Sequence, residues 1–154
     1  MLLCRLLIII ILLLNNSSVE NMDNNILEIL TQCDQIKIYQ EDNSYNFYQD
    51  SEQFKLLTNE ILNLSQASRE APAFGVSLHQ ETLIAMKSGL WIEFVFEETK
   101  AHNEMPFDSL LVNIDPEFTG INIIRHHNNQ YEGRCFYLNL QSNMYELYEL
   151  LNSL

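Results

Sequence analysis

The chain has 154 residues and sets 21 Asp and Glu against 8 Lys and Arg, a formal net charge of −13. A charge of that sign repels phosphate backbones and the basic residues are scattered, so no nucleic-acid partner is expected, whereas basic partners and divalent cations are electrostatically welcome. This length predicts one domain with a real hydrophobic core.

The chain opens on MLLCRLLIIIILLL, where Leu6–Leu14 is an unbroken run of Leu and Ile behind the lone Arg5. The run fits the apolar core of a secretory signal and is too short to span a bilayer, which takes about 20 residues. As a signal it is incomplete, because Asn15–Val19 offers no Ala-x-Ala site and the leading segment holds one positive charge. The competing reading starts translation at Met22 and is slightly favoured; it makes the protein cytoplasmic. With residues 1–21 translated, the protein is secreted or membrane-associated, and the only membrane contact is through residues 1–14. Residues 2–14 have no amphipathic face and are expected to make few contacts with a globular domain over 22–154.

From Met22 onward the patterning is that of an ordinary α+β domain. Asn25 and Glu28 form a capping box opening a short helix, with Ile26, Leu27, Leu30 and Cys33 on one side. Ile36–Gln40 and Tyr45–Tyr48 alternate as the strands of a hairpin. Asp50 with Gln53 caps the clearest helix, whose apolar stripe is Phe54, Leu57, Ile61 and Leu64. Phe74–His79 alternates as a strand with Phe74, Val76 and Leu78 inward. Glu81–Ser88 is a helical turn closed by Gly89. Leu90–Glu97 is the strongest strand, with Leu90, Ile92, Phe94 and Phe96 on one face and Trp91, Glu93, Val95 and Glu97 on the other. Glu98–Pro106 reads as a polar loop containing His102. Asp108–Ile114, Ile121–His126 and Arg134–Leu140 read as further strands, the last two joined across Asn128-Asn129. Asn143 and Glu146 cap a terminal helix carrying Met144, Leu147, Tyr148 and Leu151. Short turns between neighbours predict a single-domain α+β fold, a mostly antiparallel sheet with two or three helices packed on one face.

Three cysteines, Cys4, Cys33 and Cys135, form no Cys-x-x-Cys pair, so neither a metal site nor a cofactor is expected. Cys33 and Cys135 could bridge in a secreted protein; a cytoplasmic one keeps them reduced and partly buried, which is the preferred expectation.

The chemistry concentrates in the hairpin Arg125-His126-His127-Asn-Asn-Gln-Tyr-Glu132-Gly-Arg134-Cys135. A two-residue turn sets His127 opposite Gln130, His126 opposite Tyr131 and Arg125 opposite Glu132. Arg125 and Arg134 could bind an anion, and His126, His127 or Cys135 could act as base or nucleophile. The plainer and preferred reading is a solvated hairpin tip with an Arg125–Glu132 pair. Glu93 is the other catalytic candidate, a carboxyl between Trp91 and Val95 that would become a useful acid or base if buried; the solvent side of the sheet is the preferred placement. His79 beside Glu81 reads as surface. None of the familiar nucleotide, hydrolase or metalloprotease signatures occurs.

Two functions follow as expectations. The first is a small, acidic, non-catalytic module that binds a protein through a helix-free sheet face. The second is a small hydrolase or transferase with an anion site on the 125–135 hairpin, and it requires several of Glu93, His79, His126, His127, Arg134 and Cys135 to converge on one concave pocket.

Overall fold

The computed structural model describes residues 26–66, 68–72 and 75–154. The expectations for residues 1–21 and for Asn25, Phe74 and Cys4 lie outside them. The fold is a single α+β domain dominated by an antiparallel sheet.

Helix α1 (Ile26–Leu30) leads into the hairpin β1 (Gln35–Gln40) and β2 (Asn43–Tyr48), followed by α2 (Glu52–Ser65) and a short strand β3 (Arg69–Ala71). Then come β4 (Val76–Ser77), α3 (His79–Ala85), β5 (Leu90–His102), β6 (Met105–Asn113) and β7 (Gly120–His127). The chain closes with β8 (Gln130–Tyr131), β9 (Gly133–Arg134), β10 (Phe136–Asn139) and α4 (Tyr145–Asn152). The large sheet runs β2-β1-β5-β6-β7-β10-β3, with β8 paired to β7, and β4 and β9 make a separate two-stranded ladder. Every pairing is antiparallel.

Because side chains alternate along a strand, two rows crossing the sheet define its two faces. One row is Ile38, Ile92, Val112, Ile123 and Phe136, all apolar. The next is Lys37, Glu93, Leu111 and Ile124, which is mixed. The apolar row belongs to one continuous core with Ile26, Leu27 and Leu30 of α1, Phe54, Leu57, Ile61 and Leu64 of α2, and Leu147 and Leu151 of α4. The expected stripe of α2 is therefore the buried one. Burying each such side chain stabilises by about 1.5–3 kcal/mol, so the α2 stripe is a principal contributor to the fold.

The structure corrects several local expectations. The cap of α2 is Ser51, whose Oγ accepts the Phe54 N–H at 3.2 Å, rather than Asp50. The segment read as the loop Glu98–Pro106 is the tip of a long hairpin. β5 continues to His102, and Asn103 and Glu104 turn the chain with positive φ values of 48° and 63°. Polar composition concealed this strand because only its near half is buried. A register shift between Val95 and Lys100 marks where the sheet leaves the core, and Asp34 Oδ2 accepts the Glu97 N–H there.

The strand expected over Phe74–His79 is reduced to Val76–Ser77, and its polarity is reversed. Ser77 is buried, while Val76 and Leu78 are exposed at 65% and 57%. Its single ladder is to β9, far along the chain, so the inward residue is chosen by that partner and not by hydrophobicity. Gly89, with φ +79°, takes the left-handed conformation expected after the helical turn.

Candidate functional site

The mixed face of the sheet carries a second, smaller cluster of Trp91, Leu111 and Tyr131, against which Tyr39, Met86 and Ile124 pack. Met86 caps α3, so this face is partly covered by a helix, and the expectation of a helix-free face is corrected. The physical reason lies in the face itself: Trp91, Leu111 and Ile124 are too apolar to be left in water.

Glu93 is 3% exposed at the centre of this face, which overturns its preferred solvent placement. Three hydroxyls donate to its carboxylate. Tyr131 Oη reaches Oε1 at 2.8 Å, Ser109 Oγ donates to the same oxygen, and Tyr39 Oη reaches Oε2 at 2.6 Å. Lys37 lies directly across on β1, yet no ion pair joins it to Glu93. The buried carboxyl group is thus satisfied by three hydroxyl donors, which is how a polar group is tolerated in an interior. Burial, then the Glu93 charge, push both the Tyr131 and Tyr39 hydroxyls well above the ordinary phenol range, so both remain protonated donors.

Tyr131 is also the meeting point of two histidines. Its N–H is accepted by His79 Nδ1 at 3.1 Å, which assigns the proton of a neutral His79 ring to Nε2. The His79 ring stacks at 6.0 Å on one side, and His126 lies 4.7 Å away. His79, expected as ordinary surface, therefore ties the start of α3 to β8.

The hairpin has the expected register, with His126 opposite Tyr131 and His127 opposite Gln130 across Asn128 and Asn129, both at positive φ. Beyond that point the ladder ends and the arginines diverge. Arg125 does not pair with Glu132. Its Nε and Nη1 donate to the carbonyls of Arg134 and Pro106, each at 2.8 Å. Its Nη2 passes so close to Gly133 that a Cβ there would meet it at 2.7 Å, and Gly133 also sits at φ +99°. Burial lowers the Arg125 pKa somewhat. Arg134 is exposed on β9. His127 Nδ1 lies 3.2 Å from Asp108 Oδ2. The Asp108 carboxyl is held below its usual range, chiefly by the Thr99 hydroxyl and also by the Asn128 N–H and by His127. His102, whose partner could not be read from sequence, has its Nε2 2.8 Å from a Glu70 oxygen.

Cys135 lies elsewhere again, on the wall of a groove of about 390 Å³ between α3 and the sheet. Val76, Leu78, Ala85, Trp91 and Ile124 make it predominantly apolar, with Ser77, Glu81, Thr82 and Asn122 as its polar atoms. The Cys135 thiol is pushed up by burial, opposed by Ser77, so it rests as a neutral thiol and not as a nucleophile. Cys33 is pushed up to about 12, again mainly by burial. Both thiols are free and buried. Native protein is accordingly expected to leave both unreacted towards a thiol reagent such as DTNB at neutral pH, with both reacting once urea unfolds it. Rapid labelling of Cys135 in the native state, or a Cys33–Cys135 cross-linked peptide by mass spectrometry, would contradict this.

The candidate residues thus separate into distinct places. Glu93, His79 and His126 gather on Tyr131, while Cys135 faces the groove. His127 joins Asp108, and Arg125 holds two carbonyls. Among the described residues no cluster of His, Cys, Asp or Glu could hold a metal ion, and no helix is long and apolar enough to cross a membrane. The groove was missed by sequence reading, which set Val76 and Leu78 inward, whereas the structure turns both to solvent. Comparison with protein-family models, curated proteins and solved structures finds no match to this chain.

Proposed function

We propose that the protein is a non-catalytic module that binds a protein partner through the Trp91 side of the sheet, with α1, α2 and α4 forming the layer that covers the opposite face. The observation that carries this reading is where apolar surface is exposed. Among the described residues, four of the eleven exposed large hydrophobic side chains, Val76, Leu78, Leu83 and Ile84, fall in one short segment, and two of them, Val76 and Leu78, line the groove. Isolated exposed apolar residues need no explanation, but several together in one segment that borders a concave apolar surface are what partner sites look like. The dispersal of the hairpin residues supports the same reading, since an acid, a base and a nucleophile must lie within hydrogen-bond reach to act together.

Photo-crosslinking in the producing cells tests it. A photoreactive side chain at Ile84 is expected to yield a discrete protein adduct, identified by mass spectrometry, that disappears with Leu78→Asp in the same chain. The same probe at Tyr48, on the edge strand β2, is expected to give none. No adduct at Ile84, or equal adducts at both positions, would overturn the reading.

A further inference from the structure

The groove beside α3 has a chemical character that narrows the partner. Its floor and walls are apolar, Trp91 being 8% exposed and flanked by Ile124, Ala85, Val76 and Leu78. On its rim stands Glu81, which forms no hydrogen bond or ion pair among the described residues. The Asn122 amide, also on the rim, is likewise uncommitted. The Ser77 hydroxyl is already committed, its Oγ donating to the Gly133 carbonyl at 3.2 Å.

We propose that this groove receives an amphipathic, basic helix of a partner protein, with its apolar residues on Trp91, Ile124 and Leu78 and a Lys or Arg on Glu81. This rests on the protein-binding reading above and gives the partner its chemistry. Helix-in-groove recognition uses apolar anchors one turn apart, with flanking charge setting orientation. The charge argument selects among occupants. A net charge of −13 opposes a second copy of the chain, an anionic membrane or an acidic peptide, and it draws a cationic segment towards the surface. Glu81 then makes that attraction local, because an uncommitted carboxylate beside an apolar floor gains a cation at small desolvation cost.

Trp91 is the only tryptophan in the chain, so its emission reports on the groove directly. The probe is a synthetic, end-capped helical peptide of about 18 residues, Leu on one face and Lys on the other; its control carries Glu in place of Lys. The Leu/Lys peptide is expected to shift Trp91 emission saturably at micromolar concentration, while the Leu/Glu peptide is expected to produce no shift. Glu81→Lys should weaken binding about tenfold or more, and Leu78→Asp should abolish it. Both positions are exposed, so unchanged thermal unfolding is the expected sign that the variants fold.

Equal binding of both peptides, or undiminished binding to Glu81→Lys, would overturn the basic-helix proposal yet leave the protein-binding reading standing. A concentration-dependent dimer in sedimentation that Leu78→Asp dissolves would replace the proposed occupant with a second copy. If neither peptide binds and the Ile84 crosslink is also absent, both readings fall; if the crosslink persists, only the partner's chemistry was wrong.

Discussion

Replacing Glu93 with alanine is expected to cost about 3–5 kcal/mol of stability. The estimate comes from the hydroxyls left behind, because Tyr131, Ser109 and Tyr39 all donate to this one carboxylate. Removing a shared acceptor strands buried donors, each at about 1–3 kcal/mol, and adds a cavity at the centre of the mixed face. For a domain of this size the melting temperature should fall by roughly 10–20 °C. Glu93→Gln keeps the volume and one carbonyl oxygen, but its NH2 is satisfied only if a hydroxyl turns from donor to acceptor, so an intermediate loss is expected. Urea denaturation of the three proteins checks the order. A loss under about 1 kcal/mol for Glu93→Ala would mean that the network is solvated rather than structural.

The second large effect is an alkaline one. Tyr39 and Tyr131 are raised above the ordinary phenol value of 10.0, first by burial and then by the Glu93 charge. A group whose folded pKa exceeds its unfolded one binds its proton more tightly in the native state. The stability it contributes is complete below the unfolded pKa and is lost as pH rises towards the folded one. Cys33 opens the same window earlier, from its ordinary 9.0 towards about 12. Stability is therefore expected to hold to about pH 9 and then fall. Above pH 10 Tyr131 steepens the loss by up to about 1.4 kcal/mol per pH unit, and Tyr39, which is only half-buried and screened by solvent, adds less. Tyr131→Phe should start from a less stable protein yet lose stability with less than half the tyrosine-derived slope. Urea midpoints at several pH values from neutral to alkaline measure the slope directly, and an unchanged slope in Tyr131→Phe would refute the assignment.

The elements legible in the sequence were those whose burial is decided locally. The α2 stripe of Phe54, Leu57, Ile61 and Leu64 and the alternation of Leu90, Ile92, Phe94 and Phe96 each present one face to a single core, and all eight residues are buried there. Period and composition suffice for such elements because the hydrophobic effect is non-directional. The register of the 126–131 hairpin was legible too, since Asn128 and Asn129 tolerate the positive φ of a two-residue turn.

What only the tertiary structure decided was everything set by distant partners. Ser77 faces inward because Gly133 is there to accept its hydroxyl, although Val76 and Leu78 beside it are more apolar. His102 takes its place from Glu70, and Arg125 is drawn to two backbone carbonyls instead of to Glu132. Glu93 is the sharpest case. From sequence its face looked solvent-facing, because a carboxylate on a mixed row is normally solvated. Its burial depends on Tyr39, Ser109 and Tyr131, residues 54, 16 and 38 positions away, being delivered by three other strands. Hydrogen bonding is directional and short-ranged, so the fate of a polar side chain is settled by which donors the fold brings within reach, whereas that of an apolar stripe follows from its own periodicity.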